Sequence, residues 1–188
     1  MKVDITSLSP STLQFDLKDV DASFANALRR IMISEVASVA IEQVFILNNT
    51  SIVPDEVLAQ RLGLVPFKFD PRELEFRYGL FLFLIFSLSH LELDDQPTDL
   101  NTLVFKLNVN GHHLGPDETM PVYSSHFEWV PQGDQASKYE DIRPVFDNIL
   151  LAKMVRGQEI DCELHCVKGI GKDHAKYSPV GMSICSLF

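Results

Sequence analysis

The chain has 188 residues, 46% of them apolar, which is enough for one core or two small ones. Its 16 basic and 26 acidic residues give a net charge of −10, which opposes direct wrapping of nucleic-acid phosphate, so a role near DNA is expected to pass through a protein partner. Three cysteines and the absence of a secretory signal favour a reducing nuclear or cytosolic compartment without disulfides.

Two strands joined by a turn are predicted at the start of the chain. Apolar and polar residues alternate in Lys2–Leu8 and again in Thr12–Leu17, with Ser9-Pro10-Ser11 between the two runs. This pattern is typical of a hairpin.

An amphipathic helix is predicted from Asp21, a good N-cap residue, to Val36. Its apolar arc covers roughly half of the circumference, which is wider than packing on one sheet requires and suggests a further contact. Glu35 lies within the apolar arc and Ile33 within the polar half, and these two residues are expected to meet a partner's groups. The apolar arc contains Phe24, Ala27, Leu28, Ile31 and Met32, flanked by Ala25 and Val36, and the polar half contains Asn26, Arg29, Arg30 and Ser34.

The middle of the chain mixes strands with one more helix. A strand is predicted over Val39–Asn49 and a short helix over Pro54–Leu62, ended by Gly63. The apolar run Gly79–Leu88 is too short for a transmembrane helix, so it is interpreted as a buried strand.

The second half of the chain reads as predominantly β. The last predicted strand should place Ile160, Cys162, Leu164 and Cys166 on one face. The predicted elements are a strand over Thr102–Val109, a turn at Asn110-Gly111, a strand over Val122–Val130, a polar connection over Gln132–Glu140, and a hairpin of Ile149–Val155 and Glu159–Val167 around Arg156-Gly157.

Cys162, Cys166 and His165 could suggest a metal site. On a strand the two cysteines are about 13 Å apart along the chain and His165 points to the other face, which does not suit shared coordination. Two thiols in a core face are the better interpretation, and no metal is expected. His126 and Glu128, which share a face of the predicted Val122–Val130 strand, are interpreted as surface residues.

Two glycines and four basic residues lie close together near the end of the chain: Gly169, Gly171, Lys168, Lys172, His174 and Lys176. A phosphate cradle is one interpretation, but the spacing matches no nucleotide motif and no good helix follows. A tight loop that displays three lysines to an acidic partner surface is favoured.

Two sequence blocks resemble a known family. The run NALRRIMISEVASVAIE (residues 26–42), followed by NNTSIVPDEVLAQRLGLVPF (residues 48–67), resembles the motif of the larger α-like subunits of cellular RNA polymerases. The block VKGIGKDHAKYSPV (residues 167–180) resembles the same family at its other end.

Within that family the chain is most similar to the subunit shared by RNA polymerases I and III. The similarity lies in DPRELEFR (residues 70–77), HFEWVPQGDQ (residues 126–135) and IRPVFDNILLAKMVRGQEID (residues 142–161). Residues 79–100 and the last eight depart from the family pattern, and Ala37 stands where the family usually has proline.

The resemblance implies an α+β fold with a discontinuous dimerisation part, residues 1–49 and 171–188, and a β-rich insert domain, residues 50–170. The family continues with a further strand and long helices after Ser178-Pro179. The chain is therefore expected to be a C-terminally truncated form whose helical apolar arc is partly uncovered.

The resemblance also implies two protein contacts. The apolar arc is expected to pair with the smaller α-like subunit, and a basic set to contact the second-largest subunit, a role that suits the planar fork of arginine. The partner-helix set is Phe24, Ala27, Leu28, Ile31, Met32 and Glu35, and the large-subunit set is Arg29, Arg30, Lys168, Lys172, His174 and Lys176.

The resemblance implies a non-catalytic assembly subunit of DNA-directed RNA polymerases I and III, located in the nucleus and nucleolus. Heterodimerisation with the smaller α-like subunit would form the platform for the large catalytic subunits in transcription of rRNA, 5S rRNA and tRNA. No constellation of residues suits catalysis, and no cofactor, membrane contact or sequence-specific DNA binding is expected. The alternative is a truncated isoform or gene-model product with impaired or no assembly activity, while an enzyme or small-molecule-binding domain has little support.

Overall fold

The computed structural model describes residues 1–77 and 97–185. The chain divides into two compact units, one formed by Met1–Val36 with Ile170–Phe188 and the other by Ala37–Gly169. The predicted strand over Gly79–Leu88 lies outside the described residues.

The described residues form many strands and a few helices, and most of the strands follow α2 in the chain. The elements are β1 (Lys2–Leu8), β2 (Leu13–Lys18), α1 (Ala22–Ser34), β3 (Ala37–Asn49), α2 (Asp55–Gly63), β4 (Phe67–Lys68), β5 (Thr102–Asn110), β6 (Thr119–Tyr123), β7 (Glu128–Val130), α3 (Gln135–Lys138), β8 (Arg143–Pro144), β9 (Leu150–Val155) and β10 (Glu159–Ile170).

The first unit contains the predicted hairpin and the predicted amphipathic helix. β1 and β2 pair antiparallel, and the turn closes when the N–H of Ser9 donates to the Thr12 carbonyl oxygen at 2.8 Å. Helix α1 ends at Ser34, two residues before the predicted end at Val36. The β-branched pattern that starts after Val36 competes with continuation of the helix, so the chain enters β3 at Ala37.

The second unit is organised by a four-stranded sheet with the order β3-β10-β5-β7. β10 and β5 pair antiparallel from Glu159↔Asn110 to Val167↔Thr102. Two smaller pairs, β6 with β9 and β4 with β8, complete the β structure of the described residues.

The core combines buried residues of the four-stranded sheet with those of α2, β6 and β9, and α2 contacts both β3 and β9. The predicted apolar face of the last strand is confirmed, because its four members are fully buried. Full burial of an aliphatic side chain contributes roughly 1.5–3 kcal/mol each, so this face is a main source of stability. The largest buried apolar side chains are Ile41, Leu58, Leu62, Leu74, Leu103, Phe105, Leu107, Leu151, Met154, Ile160 and Leu164, and Cys162 and Cys166 belong to the same cluster.

The prediction of one continuous strand over Val122–Val130 is wrong. The chain leaves β6 at Tyr123, forms a 3-10 turn over Ser124–His126, and only then enters β7. His126 Nδ1 accepts a hydrogen bond from the Tyr123 N–H at 3.0 Å, so His126 belongs to this turn and does not share a strand face with Glu128. The break lets β6 pair with β9 while β7 pairs with β5.

The prediction that Ile149–Val155 and Glu159–Val167 pair with each other as a hairpin is also wrong. The turn exists, with Gly157 at a φ of +80° that favours glycine, but β9 pairs with β6 while β10 lies between β3 and β5. Since β3 and β5 occupy the two edges of β10, β9 cannot pair with it.

The polar connection over Gln132–Glu140 contains a short helix and one buried amide. The Gln135 side chain is almost fully buried. Its Nε2 donates to the carbonyl oxygens of Asp99 and Thr102 at 2.7 and 2.8 Å, and its Oε1 accepts from the Gln132 N–H at 3.1 Å. This polar segment is therefore fixed to the start of β5.

We predict that Gln135→Ala lowers the free energy of unfolding by about 1–3 kcal/mol, because it leaves buried carbonyl groups without their donors. Urea unfolding of the purified chain measures the change. Gln132→Ala is the matched control, since its side chain is exposed and its loss should change stability by less than about 0.5 kcal/mol. Equal losses for both variants would show that the buried amide does not fix this segment.

Candidate subunit interface

Helix α1 starts at a well-formed cap. Asp21 Oδ1 accepts a hydrogen bond from the Ser23 N–H at 2.7 Å, which satisfies one of the free donors of the first turn. Hydrogen bonding from the Ser23 side chain, and then from its backbone, holds the pKa of the Asp21 carboxyl below its usual value. The charged form of the cap, which favours the positive end of the helix, is therefore stabilised.

The apolar arc of α1 is largely open. No residue of the helix is buried, and Phe24 and Ile31 keep 50% and 43% of their surface exposed. Leu28 and Met32 are half-buried, while Ala27 and Glu35 are exposed. The amphipathic pattern thus describes a surface, and pairing with a partner helix stays a prediction.

The other elements of the first unit expose apolar side chains as well. Exposed apolar residues mark a partner site only where they form a contiguous surface, so these side chains add no separate evidence to that of the α1 face. They are Val3, Ile5, Leu8 and Leu13 in the β1–β2 hairpin and Met182 and Ile184 in the segment after β10.

The polar side of α1 borders a basic recess of about 370 Å³. Arg29 Nε and Nη2 donate to Asn26 Oδ1 at 3.2 and 3.0 Å, which fixes the guanidinium along the helix. Three cationic side chains and one carboxylate line this recess, so it suits an anionic group. Its lining residues are Arg29, Arg30, Ile33, Ser34, Glu35 and Lys172.

The chain that returns from β10 closes the recess. The Lys172 N–H donates to the Ser34 carbonyl oxygen at 2.8 Å, at the end of α1. A Cβ on Gly171 would overlap the Ile33 carbonyl oxygen, so the close approach requires glycine. The sequence singled out Ile33 and Glu35 as residues out of pattern, and both line the recess.

The predicted basic loop is only partly as expected. β10 runs on to Ile170, so Lys168 lies on a strand of the second unit, where its Nζ donates to the Leu74 carbonyl oxygen at 3.0 Å and lies 4.6 Å from the Phe76 ring centroid. The placement of Lys168 on the displayed loop is therefore wrong, because its ammonium group already has partners in its own unit.

The rest of that loop belongs to the first unit. His174 is exposed, and its Nδ1 accepts from the Lys176 N–H at 3.1 Å at the start of a 3-10 turn over Ala175–Tyr177. Lys176 Nζ lies 5.2 Å from the ring centroid of Tyr177, which is buried. Of the predicted large-subunit set, Arg29, Arg30 and Lys172 thus come together, while His174 and Lys176 lie outside the recess.

Cys162 and Cys166 are core residues, as the sequence favoured. Both are fully buried, and burial raises the pKa of the Cys162 thiol to about 12. His165 lies on the opposite face, but it is buried too, with Nε2 2.9 Å from Glu163 Oε1 and its ring 4.8 Å from that of Phe45. In residues 1–77 and 97–185, no group of three or more His, Cys, Asp or Glu side chains is arranged to hold a metal ion.

None of the helices in the described ranges has the length and apolar content needed to cross a bilayer.

Comparison with known proteins identifies the family. A family model described as the RNA polymerase Rpb3/RpoA insert domain matches residues 39–182. The chain belongs to this family of RNA polymerase subunits. The α+β fold with a β-rich insert domain, expected from the resemblance, is confirmed.

Family relatives come from eukaryotes and archaea. The chain is 44% identical to the DNA-directed RNA polymerases I and III subunit RPAC1 of Homo sapiens, over 95% of this chain and 52% of that protein. It is 45% identical to RPAC1 of Saccharomyces cerevisiae, over 95% of this chain and 54% of the relative. It is 35% identical to the DNA-directed RNA polymerase subunit Rpo3 of Thermococcus kodakarensis, over 90% of this chain and 53% of that protein. The chain thus spans about half the length of the curated relatives that it matches.

We predict that Gly171→Ala destabilises the first unit by about 1–3 kcal/mol, because the added methyl group must push the end of α1 away and break the Lys172–Ser34 bond. Urea unfolding followed by circular dichroism gives the change. Gly181→Ala is the matched control, since a Cβ there meets nothing within 4 Å. A neutral Gly171→Ala would disprove the close approach.

Proposed function

We propose that the chain is a non-catalytic assembly subunit of DNA-directed RNA polymerases I and III. The exposed apolar arc of α1 pairs with the smaller α-like subunit, and the basic recess contacts the second-largest subunit. The heterodimer is the platform for the large catalytic subunits in synthesis of rRNA, 5S rRNA and tRNA, in the nucleus and nucleolus. The division into a dimerisation part (residues 1–49 and 171–188) and an insert domain (residues 50–170) belongs to this proposal.

The observation that carries the proposal is the open face of α1. A helix with no buried residue and with Phe24 and Ile31 half exposed gains stability from a partner that covers it, at roughly 25 cal/mol per Å² of apolar surface. The recess at the end of the same helix supplies a separate, charged contact. Family membership and the relatives named as polymerase I and III subunits support this assignment.

The heterodimer contact is tested with the double variant Phe24→Asp/Ile31→Asp. We expect capture of the smaller α-like subunit to fall at least 30-fold, or about 2 kcal/mol, because two carboxylates would be buried without partners. Co-expression with the tagged smaller subunit, followed by quantitative pull-down, measures this. Leu47→Asp/Ile52→Asp, at exposed apolar positions of the second unit, is the control. Unchanged capture by the α1 variant would remove this face from the interface, and failure of the unaltered chain to bind would favour impaired assembly.

The recess is tested with Arg29→Glu/Arg30→Glu. Because both side chains lie on the polar side of α1, the heterodimer should still form, while capture of the second-largest subunit weakens by about 2–5 kcal/mol. The measurement is binding of the preformed heterodimer to the isolated large subunit. Lys153→Glu/Arg156→Glu, two exposed basic positions of the second unit, provides the same change of charge as a control. Equal affinities for both variants would contradict the assigned role of the recess.

A further inference from the structure

The second unit carries an exposed apolar surface around α2, which we name the α2 patch. Its members are neither part of the core nor part of the interface proposed above, and each keeps between 37% and 57% of its surface exposed. They are Val57, Leu64, Val145, Phe146 and Leu150.

Three chain segments bring these residues together. Val57 and Arg61, four residues apart, lie on one exposed side of α2, and the exposed Leu64 follows as its C-cap, while Leu58 and Leu62 on a neighbouring side enter the core. Beyond the helix, the Val145 N–H donates to the Pro66 carbonyl oxygen at 2.9 Å, which places the segment after β8 beside the end of α2.

Arg61 connects the helix to the third segment. Its Nη2 donates to the Leu150 carbonyl oxygen at 2.8 Å, so the guanidinium lies between the helical side of the patch and Leu150. The side chain remains exposed. The α2 patch is thus an apolar surface with one cation inside it, and acidic residues Glu56 and Asp147 adjoin Val57 and Phe146 in the chain.

The patch is held on a rigid support. The fully buried Ser124 hydroxyl donates to the Phe146 carbonyl oxygen and accepts from the Ile149 N–H. The Ser124 N–H donates to the Ile149 carbonyl oxygen at 3.0 Å, and the Ser125 N–H to that of Asp147 at 3.1 Å. These bonds fix the segment that displays Phe146 before any partner arrives, which lowers the ordering cost of binding.

We propose that the α2 patch docks an apolar segment of another polymerase subunit that carries a carboxylate opposite Arg61. The proposal rests on the assembly role proposed above, and it concerns a surface of the second unit. Arginine surrounded by apolar side chains is a composition that recurs at the centres of protein interfaces, where it pairs with a carboxylate as water is excluded. The two acidic neighbours favour basic residues at the edge of the same segment.

Charge favours this occupant over others. The acidic residues Glu56 and Asp147 adjoin the patch, and the second unit as a whole holds ten basic and twenty acidic residues, so neither the local nor the overall charge favours nucleic acid or an anionic lipid surface. A second copy of the chain would bring an identical surface that has another Arg61 among its apolar members and carboxylates, Glu56 and Asp147, only beside them. A protein segment with an acidic residue in an apolar stretch satisfies both the guanidinium and the exposed hydrocarbon.

The test uses the chain assembled with its polymerase in cells. Phe146→p-benzoylphenylalanine is irradiated in the purified assembly, and mass spectrometry maps the attached peptide. We expect a peptide from another polymerase subunit with an Asp or Glu among apolar residues, and at least a tenfold lower yield when Arg61→Glu is added. Val57→Asp, which leaves Arg61 in place, should lower the yield similarly, whereas Leu47→Asp on β3 should leave it unchanged.

Several results would overturn the proposal: a crosslink confined to the chain itself, a crosslink to a second copy, a mapped peptide without a carboxylate, or a yield that Arg61→Glu leaves unchanged. Capture of the smaller α-like subunit is measured on the same samples and should be the same for every patch variant. If that capture is intact and the crosslink fails, only the α2 patch assignment is wrong. If the unaltered chain enters no polymerase, the proposed function fails and this proposal falls with it.

Discussion

The first unit depends on the close approach of Gly171 to the last turn of α1. Its two chain segments are separated in sequence by the entire second unit, and closing so long a loop from an unfolded chain costs entropy. The sheet offsets that cost: β3 and β10 are neighbours, and Glu159, at the start of β10, bonds to Thr50 just after β3. The chain therefore enters β3 and leaves β10 at the same end of the sheet, which leaves only a short closure for the Lys172–Ser34 bond to complete.

Charge is distributed unevenly between the units, and this limits what the basic recess can recognise. The first unit holds six basic and six acidic residues, whereas the entire excess of acidic residues lies in the second. Because charges separated by more than roughly 8–10 Å are largely screened at physiological salt, Arg29, Arg30 and Lys172 act through their immediate surroundings. Three cations around one recess suit a carboxylate or a short acidic segment. Binding a nucleic acid strand would need a longer basic track along its phosphates.

The spacing of residues along the chain predicted the elements that short-range patterns define. The Asp21 cap, the β1–β2 hairpin, α2 and the buried face of β10 follow from residue spacing and appear where expected. The same spacing could not predict which strands, far apart in sequence, would pair with one another. Nothing in the alternation of Val122–Val130 shows that Ser124 bonds to Phe146 and Ile149, and nothing in Ile149–Val167 shows that β10 already has two neighbours. Lys168 was misplaced for the same reason, since its acceptor, the Leu74 carbonyl oxygen, is remote in sequence.

The α2 patch arises from the same long-range pairing. Had residues 122–130 formed one straight strand, Ser124 would not have turned to hold the segment around Phe146, and had β9 paired with β10, Leu150 would not have met Arg61. In the sequence its members are single apolar residues in a helix, a loop and the start of a strand, and such residues need no explanation one by one. They become an interface candidate only when the fold collects them around one guanidinium. The residues of the apolar arc of α1, by contrast, lie on one helix, so the periodicity of the sequence could predict that arc but could not predict the α2 patch.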